Sequence, residues 1–476
     1  MKNKRKRKKR GARSQPRAAR RRRPERSERI PLDQAARVDL RIDSLAWGGD
    51  AIATHPDGRI VFVDSALPQQ MVRVALIEEK KRFWRGVVTE VLDDPTPTGP
   101  ACPTAQHCGG CRFQGVSYAQ ELQWKMDALH NMLQRLGKNI EWPEVKLVSA
   151  ASPQHYRSRV RLRVNAQGQT GYLARGSHDL VPAIRCDVLH PALESARQYA
   201  GYLAANLPSV HGVRLEWDAV RHQVVIEVPT ASDAWDTVRA SLRRRLEDTP
   251  PPAISYEAKN VSISVTLRYR GRWEALCGDG QIFRAYTPAL VEQKSGQFSQ
   301  ANTELNHKLR TQVAEWTVED WNRRDGMQYV VDLFSGAGNL AFAIADKGAR
   351  VVAIDHASDA VDEGEVANTK LDGARVARWV SADLNKGPLV PIEAHLESAH
   401  AYVLDPPRGG LEPLLIDTLA HHHAQTLVYV SCDPAAFARD AQRLANKGWA
   451  VQKLQAWDMF PRTAHVELLA KFTRKG

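Results

Sequence analysis

The most constraining feature of the sequence is a glycine-rich turn that lies between a buried strand and a helix. The segment 329–355 reads YVVDLFSGAGNLAFAIADKGARVVAID: an apolar run to Leu333, a turn with Gly336 and Gly338, a helical stretch, and a second apolar run that ends in Asp355. A strand, a crossover helix and a second strand in this order build a parallel sheet. The sequence therefore predicts an α/β fold from about residue 291 onwards.

Acidic residues accompany four successive apolar runs of this region. Asp332 and Asp355 belong to the first two runs, Asp383 follows the third (VARWVSADL), and Asp405 follows the fourth, just before two prolines. The carboxyl ends of parallel strands meet at one edge of a sheet, where ligands bind. A dinucleotide site would show G-x-G-x-x-G, whose third glycine is missing here. The series suits S-adenosylmethionine, with Asp355 at the ribose, Asp383 near the adenine and Asp405 at the catalytic face. A generic sheet with scattered surface acids is the alternative.

A lone cysteine follows the next apolar run. Residues 427–430 resemble a strand, and Pro434 stops it because proline lacks an N–H and has a fixed φ. Cys432 is therefore either a core cysteine, the usual fate of a free thiol, or a nucleophile at a strand end. Carbon 5 of a pyrimidine attacks a methyl group only after a thiolate has added to carbon 6, and a base must then remove the carbon-5 proton. Amine methyltransferases typically pair Asp-Pro-Pro with an aromatic residue that stacks on the base, and cytosine-5 RNA methyltransferases usually carry a cysteine directly after it. Arg408 stands at that position here, which favours carbon 5 of uracil as the target.

Three further cysteines form a cluster with metal-ligand spacing. They are Cys102, Cys108 and Cys111. Two thiolates separated by two residues can hold one metal centre, but a zinc ribbon needs a second cysteine pair. Only single candidates remain, namely Cys186, His107 and Cys277. Three clustered cysteines and one remote cysteine suit a four-iron–four-sulfur cluster, [4Fe–4S]. Zinc and unligated thiols are the alternatives, and Cys277 is expected to be an ordinary core residue.

The excess of positive charge lies in the first 29 residues. They carry 16 Lys or Arg and two Glu, whereas the other residues carry 51 Lys or Arg against 52 Asp or Glu. Residues 1–30 are therefore predicted to be a disordered basic tail. No apolar stretch of the kind that a secretory signal needs follows it, and no run approaches the roughly 18 apolar residues of a membrane span. We expect a cytoplasmic monomer without membrane contact and without an obligate protein partner.

The remaining residues before the α/β region divide into two predicted domains. Residues 31–92 alternate between polar and apolar side chains with frequent turns, which predicts a small RNA-binding β-barrel. Residues 93–290 are typical of a mixed α+β domain, and residues 291–476 form the predicted catalytic domain. The central domain contains YRSRVRLRV, in which arginines alternate on one face of a strand: Arg157, Arg159, Arg161 and Arg163. This favours a strip that contacts phosphates; a solvated face balanced by acids from other strands is the alternative.

Several segments resemble the RNA uracil-5-methyltransferase family. They are FSQAN, DLFSGAGN, DPPRGG, SCDP with FARD, and MFPRTAHVELLAKF. The resemblance covers nearly everything after the tail and implies a class I (Rossmann-like) S-adenosylmethionine methyltransferase sheet, preceded by an OB-like TRAM barrel. Barrel and cysteine cluster together are typical of members that act on 23S rRNA, with uracil 1939 as the implied target. Another rRNA position, a tRNA, or an rRNA-binding assembly factor with weak activity remain alternatives.

The resemblance also implies roles for individual residues. Cys432 is the implied nucleophile, and Glu467 in the HVE motif is the implied base. The implied fourth cluster ligand is Cys186. Asp433 stands where Asn is commoner in the family, and we expect its carboxylate to raise the pKa of the neighbouring thiol. The implied cofactor and active-site positions are Gln300, Phe334, Asn339, Asp355, Asp383 and Asp405.

Overall fold

A computed structural model describes residues 29–95, 102–322, 326–373, 375–386 and 389–475. The predicted basic tail lies outside these ranges except for its last two residues. No helix within the described ranges combines the length and the apolarity that crossing a bilayer requires.

A closed β-barrel begins the described chain. Its strands are β1 (Arg37–Leu45), β2 (Ala51–Thr54), β3 (Ile60–Asp64), β4 (Met71–Glu79) and β5 (Phe83–Asp93), in the order β1-β2-β3-β5-β4. Alternate side chains point inward, so that Val61 and Val63 of β3 are completely buried. The apolar core of the barrel also takes in Phe113 and Trp124, which lie beyond the strands. The barrel therefore packs directly against the segment that carries the cysteine cluster.

Helix α1 (Tyr118–Leu136) connects the barrel to the rest of the protein. Ser117 caps its N-terminus by accepting a hydrogen bond from the Gln120 N–H. Trp124 on one face of α1 belongs to the barrel core, and Leu129 and Leu133 on another face belong to the core of the C-terminal sheet. One helix thus fixes the barrel relative to that sheet. Strand β6 (Val145–Val148) follows it.

A mixed sheet with two helices forms the middle of the chain. Its strands run in the order β12-β13-β11-β10-β7-β8-β9, with β14 paired to β13. Their bounds are β7 (Arg159–Val164), β8 (Thr170–Leu173), β9 (Leu180–Pro182), β10 (Gly212–Asp218), β11 (Gln223–Pro229), β12 (Ile254–Tyr256), β13 (Lys259–Tyr269) and β14 (Arg272–Cys277). The helices are α2 (Pro191–Ala204) and α3 (Trp235–Asp248). Cys277, expected in the core, is half-buried and packs against this apolar core.

A hairpin and a helix lead into the C-terminal part. They are β15 (Gln281–Tyr286), β16 (Ala289–Lys294) and α4 (Thr303–Val318). The C-terminal sheet then contains β17 (Tyr329–Leu333), β18 (Arg350–Asp355), β19 (Val376–Ser381), β20 (Ala401–Leu404), β21 (Thr426–Ser431), β22 (Trp449–Trp457) and β23 (Glu467–Arg474). Helices α5 (Ala341–Asp346), α6 (Ser358–Thr369), α7 (Val390–Glu397), α8 (Pro413–His421) and α9 (Pro434–Ala445) alternate with these strands.

The C-terminal sheet confirms the predicted α/β class. Its order is β19-β18-β17-β20-β21-β23-β22-β6; strands β17 to β21 are parallel, and β23 is antiparallel to β21. Apolar side chains cover both faces, as expected for strands under helices. Strand β6 at the far edge pairs with β22, although residues 145–148 fall within the predicted central domain.

The order of the parallel strands reverses between β17 and β20. The chain moves outward from β17 through β18 to β19, and then crosses back to place β20 on the other side of β17. In an open α/β sheet, ligands bind in the crevice beyond the carboxyl ends of the strands at such a reversal. Asp332 on β17 and Asp405 after β20 lie at this crevice.

Candidate active site

Strand pairing places Cys432 and Glu467 opposite each other. Cys432 follows the last residue of β21, and Glu467 is the first residue of β23. The two strands are antiparallel, and the last pair of their ladder joins Ser431 to Leu468. One step beyond that pair, Cys432 faces Glu467 at the edge of the sheet where the cofactor crevice lies. The structure thus brings together the two side chains that were assigned as nucleophile and base.

The surroundings of Cys432 disfavour its thiolate in the unliganded protein. The pKa of the half-buried thiol is raised to about 11, first by desolvation and then by the nearby carboxylates of Glu467 and Asp405. The guanidinium of Arg408 lowers the pKa. The thiol therefore requires added positive charge, or removal of negative charge, before it can act as a strong nucleophile.

Carboxyl groups with raised pKa values surround the thiol. Burial, together with a smaller contribution from a neighbouring carboxylate in each case, raises the pKa of Glu467 to about 8 and the pKa of Asp405 to about 7. Asp332 is fully buried, and desolvation holds its pKa well above the usual range. Both carboxyl oxygens of Asp332 and one oxygen of Glu467 are buried without a hydrogen-bond partner among the described residues. These groups suit a cationic ligand.

Asp433 is not among the main causes of the raised pKa of the thiol. Its carboxylate accepts hydrogen bonds from the N–H groups of Ala435 and Ala436 at 2.9 and 3.0 Å and caps helix α9. The carboxylates that raise the pKa of Cys432 are instead Glu467 and Asp405. The effect of Asp433 on the thiol therefore stays a prediction, and the structure shows that its carboxylate points into the first turn of α9.

The glycine-rich turn after β17 forms the wall of the crevice. Phe334 and Gly338 have φ values of +64° and +90°. A Cβ on Gly338 would lie 2.6 Å from the Trp379 ring, so only glycine fits at this position. The Gly336 N–H donates to the Asp355 carboxylate at 2.9 Å, and a Cβ on Gly336 would meet open space. Gly336 thus lines the open side of the turn, where a ligand can approach the backbone.

The other predicted cofactor residues differ in their surroundings. Asn339 exchanges two hydrogen bonds of 3.0 Å with Asn306 and so ties the glycine-rich turn to α4. Gln300 is half-buried in the loop before α4. Asp383 lies farther out, after β19, where Lys386 pairs with it at 2.9 Å and lowers its pKa. Asp355 and Asp405 lie near Asp332, because the charges of both raise its pKa.

Two functional candidates were missed from the sequence. Arg408 was considered only as evidence against other substrates, yet its charge lowers the pKa values of both Cys432 and Glu467. Its position beside Asp405-Pro-Pro was the available signal. Phe298 is 79% exposed, with the Arg159 guanidinium 6.0 Å from its ring centre. Exposure of one aromatic residue cannot be predicted from sequence pattern alone.

The four cysteines of the predicted metal site line one cavity. Cys102, Cys108, Cys111 and Cys186 surround it. Burial raises the pKa of Cys111 to about 12 and that of Cys186 to about 11, and the charges of the neighbouring thiols contribute to both shifts. Among the described residues, no group of three or more His, Cys, Asp or Glu side chains is arranged to hold a single metal ion.

The predicted arginine strip is only partly present. Val160 and Leu162 are buried, as the alternation requires, but Arg157 lies before the strand and lines the cysteine cavity. Arg159 is mostly covered and donates to the backbone oxygen of Ser299 at 3.0 Å. Arg161 is exposed and Arg163 is half-buried. The prediction of four phosphate-facing arginines was wrong, because some of these side chains interact with acids and backbone oxygens of neighbouring elements instead.

Comparison with known proteins agrees with this geometry. A family model described as tRNA (uracil-5-)-methyltransferase matches residues 284–474. The chain is 32% identical to a 23S rRNA (uracil(1939)-C(5))-methyltransferase RlmD of Chromohalobacter salexigens, over 98% of this chain and 95% of that protein. It is 31% identical to the protein of the same name in Halomonas elongata, over 94% and 91% of the two chains.

A solved structure shares the fold across almost the whole chain. It is the Pyrococcus abyssi tRNA (uracil-54, C5)-methyltransferase in complex with S-adenosyl-L-homocysteine, with a TM-score of 0.66 at 19% identity, covering 92% of this chain and 100% of that one. At this identity the likeness supports the fold, and the sequence relatives support the family. The facing Cys432 and Glu467, the acidic crevice and these relatives lead to one conclusion: the chain belongs to the RNA uracil-5-methyltransferase family.

Proposed function

We propose that this protein transfers the methyl group of S-adenosylmethionine to carbon 5 of a uridine in 23S rRNA, corresponding to uracil 1939. The observation that carries the proposal is the placement of Cys432 opposite Glu467, beside Asp405 at the reversal of strand order. Nucleophile, base and cofactor crevice share one edge of the sheet. The names of the relatives supply the RNA and the position.

The first half of the reaction uses Cys432. Its thiolate adds to carbon 6 of the uracil ring, and the electrons of the 5,6 double bond move to form an enolate. Carbon 5 then attacks the methyl carbon, and the sulfonium becomes a neutral thioether. When bound in the acidic crevice with Asp332 and Asp405, S-adenosylmethionine would supply the methyl group and a positive charge, and that charge would lower the pKa values of these carboxyl groups and of the thiol. Binding of the cofactor therefore helps to activate the nucleophile.

The second half of the reaction uses Glu467. Its carboxylate removes the proton from carbon 5, the 5,6 double bond forms again, and the Cys432 thiolate leaves. Glu467 is 3% exposed and has one buried oxygen without a hydrogen-bond partner in the described structure, so no other described group competes for a proton at that oxygen. A base with a pKa of about 8 accepts a proton readily and returns it to water near neutral pH.

We further propose that the barrel, residues 31–92, is a TRAM domain that contacts the RNA. On its outer face Phe62 and Phe83 pack edge to face, with ring centres 5.3 Å apart, and the Arg85 guanidinium lies within 6 Å of both rings. Aromatic rings next to a guanidinium suit stacking with unpaired bases. The exposed Phe298, with the Arg159 guanidinium beside its ring, and the exposed Arg161 offer a second contact of the same kind.

The cysteine cavity is proposed to hold a [4Fe–4S] cluster. Its lining fits that group, because four cysteines from two separate segments surround one space and a cubane cluster takes four thiolates. Arg157 borders the cavity and offsets negative charge. The ligands would be Cys102, Cys108, Cys111 and Cys186. The cluster would serve as a structural link between these segments, since methyl transfer requires no electron.

The proposed function is tested by mapping 5-methyluridine in RNA from a strain that lacks the gene. We expect one 23S rRNA position to lose its methyl group, and purified protein with S-adenosylmethionine to restore it. Loss of 5-methyluridine from tRNA alone would redirect the proposal to tRNA. Unchanged 5-methyluridine throughout the RNA would favour an assembly factor and overturn the proposed activity.

A further inference from the structure

The loop between β22 and β23 carries the proposed base. We call residues 458–466 the catalytic loop, because the residue that follows it is Glu467. The ladder between β22 and β23 ends at the pair Trp457–Glu467. The sheet therefore fixes Glu467 only through the last pair of a ladder, and the course of the loop beyond it depends on contacts with other parts of the chain.

Arg462 is the most constrained residue of this loop. Its φ is +68°, a conformation that costs a residue with a side chain free energy unless the surroundings enforce it. Its backbone oxygen accepts hydrogen bonds from the N–H groups of Arg112 and Phe113 at 2.6 and 3.3 Å. Its guanidinium donates to the backbone oxygens of Phe113 and Val116 at 3.2 and 2.7 Å. The loop is thus bound at one residue to the segment that directly follows Cys111.

A buried charge network holds the same loop to helix α1. The Lys125 ammonium donates to Glu121 at 2.6 Å and to Asp458 at 2.7 Å, and all three side chains are almost completely buried. Glu121 in turn accepts from the Arg462 backbone N–H at 2.7 Å and from its guanidinium at 3.2 Å. Two acids and two bases balance in charge, so loss of one leaves an uncompensated buried charge.

The segment after Cys111 has its own attachments. The Arg112 guanidinium pairs with Asp50 at 3.1 Å and with Asp64 at 2.9 Å, both in the barrel. Arg175 donates to the backbone oxygen of Cys111. This segment therefore contacts the barrel through Arg112 and the lining of the cysteine cavity through Arg175. It contacts the catalytic loop through Arg462.

We propose that Arg462 is a positioning residue that couples the segment after Cys111 to the catalytic loop and thereby aligns Glu467 for removal of the carbon-5 proton. The inference deepens the proposed function and rests on it for the role of Glu467. The segment after Cys111 then has a specific role, which is to hold the base in place. Arg462 itself does not touch the reacting atoms; it acts through the loop.

The test compares Arg462→Gln with Arg474→Gln. Arg474 is a matched control because it also donates to backbone oxygens, those of Leu419, Ala420 and His422, at the opposite end of β23. Enzyme in excess over an rRNA fragment is mixed with S-adenosylmethionine and quenched in denaturant, and the covalent RNA–protein adduct is followed over time. Arg462→Gln should methylate RNA at close to the wild-type rate but release the adduct about 10-fold to 100-fold more slowly. Arg474→Gln should release it normally.

Hydrogen–deuterium exchange gives a readout that does not depend on activity. In Arg462→Gln, the amides of Arg112, Phe113 and the catalytic loop should exchange faster than in wild type, whereas in Arg474→Gln they should not. If Arg462→Gln does not fold, Glu121→Gln removes one charge of the same network and keeps the side-chain shape; it should also slow release of the adduct.

Outcomes separate this inference from the proposed function. If the wild type methylates RNA and either foldable variant of the network releases the adduct as fast as Arg474→Gln, the coupling is wrong and the proposed function stands. If the wild type forms neither adduct nor 5-methyluridine, the proposed function is wrong. Slow release without faster exchange at Arg112 and Phe113 would also overturn the coupling.

Discussion

The rate at which the covalent adduct is released should depend on pH through Glu467, and the charge of Arg408 should lower the midpoint of that pH profile. The pKa of Glu467 is about 8, raised first by burial and then by Asp405, and lowered by Arg408. The base must be ionised to accept the carbon-5 proton. With that pKa, about 9% of Glu467 is ionised at pH 7 and about 90% at pH 9. The release rate should therefore rise by about 10-fold over this range and then level off.

Replacing Arg408 by Gln removes a positive charge that favours the ionised form of Glu467. Arg408 is exposed, so an effective dielectric constant of about 40 suits it, and in such a medium a single charge at a separation on the order of 8 Å contributes about 1 kcal/mol, or about 0.7 of a pKa unit. The midpoint of the release profile should move to higher pH by about that amount. The thiol should respond in the same direction, because Arg408 also lowers the pKa of Cys432.

The assay is a rapid-quench measurement with enzyme in excess and RNA binding saturated, so that a weaker RNA affinity of Arg408→Gln does not enter the rate. The adduct is quantified on denaturing gels between pH 6.5 and 9.5. Control variant Lys447→Gln removes an exposed charge that pairs with Asp417 instead, and it should leave the profile unchanged. A release rate that is flat from pH 6.5 to 8.5, or a midpoint that moves to lower pH in Arg408→Gln, would refute the reasoning.

Three further predictions concern other parts of the molecule. Anaerobically purified protein should be brown with about four irons per chain, and Cys108→Ser should lose the colour and lower the melting temperature; stoichiometric zinc without sulfide would contradict the cluster. Deleting residues 2–29 should flatten the salt dependence of RNA binding, since each phosphate contact contributes roughly 0.7 to 0.9 to the slope of log affinity against log salt concentration. The reaction rate at saturating RNA should stay nearly unchanged, and an equal slope would mean that the tail does not contact RNA. Binding of S-adenosylmethionine at pH 7.5 should release protons from Asp332, Asp405 and Glu467, whereas S-adenosylhomocysteine, which lacks the sulfonium charge, should release fewer. Calorimetry in buffers of different ionisation enthalpy measures the difference, and equal release would exclude a sulfonium beside these acids.

The arrangement of the C-terminal sheet could be predicted from the sequence because it depends on local patterns. Continuous apolar runs followed by Asp355, Asp405 and Cys432 identify buried strands and their ends, and parallel strands bring their ends to one edge. Glu467 could not be placed in this way. It was assigned by resemblance, and the antiparallel register of β23 is what brings it to Cys432.

The remaining features depend on contacts between residues far apart in sequence. Lys125 and Asp458 pair across 333 positions, and no periodic pattern indicates such a pair. Strand β6 has four residues that are mostly half-buried, so it lacks the continuous apolar run of a central strand. The arginine alternation at 157–163 was visible in the sequence, but the acids and backbone oxygens that partly cover those side chains come from other elements.

The most direct test of the account is the chemical state of Cys432 when Glu467 cannot act. Glu467→Gln keeps the shape of the side chain but cannot accept the carbon-5 proton, and losing a general base costs about 10² to 10⁴ in rate. After reaction with S-adenosylmethionine and rRNA, nuclease and protease digestion should yield a Cys432 peptide that carries a methylated uridine nucleotide, as read by mass spectrometry. Cys432→Ala should give no adduct and no methylation while still binding RNA and cofactor. Full turnover by Glu467→Gln, an adduct on another cysteine, or unmethylated RNA without an adduct would contradict the account.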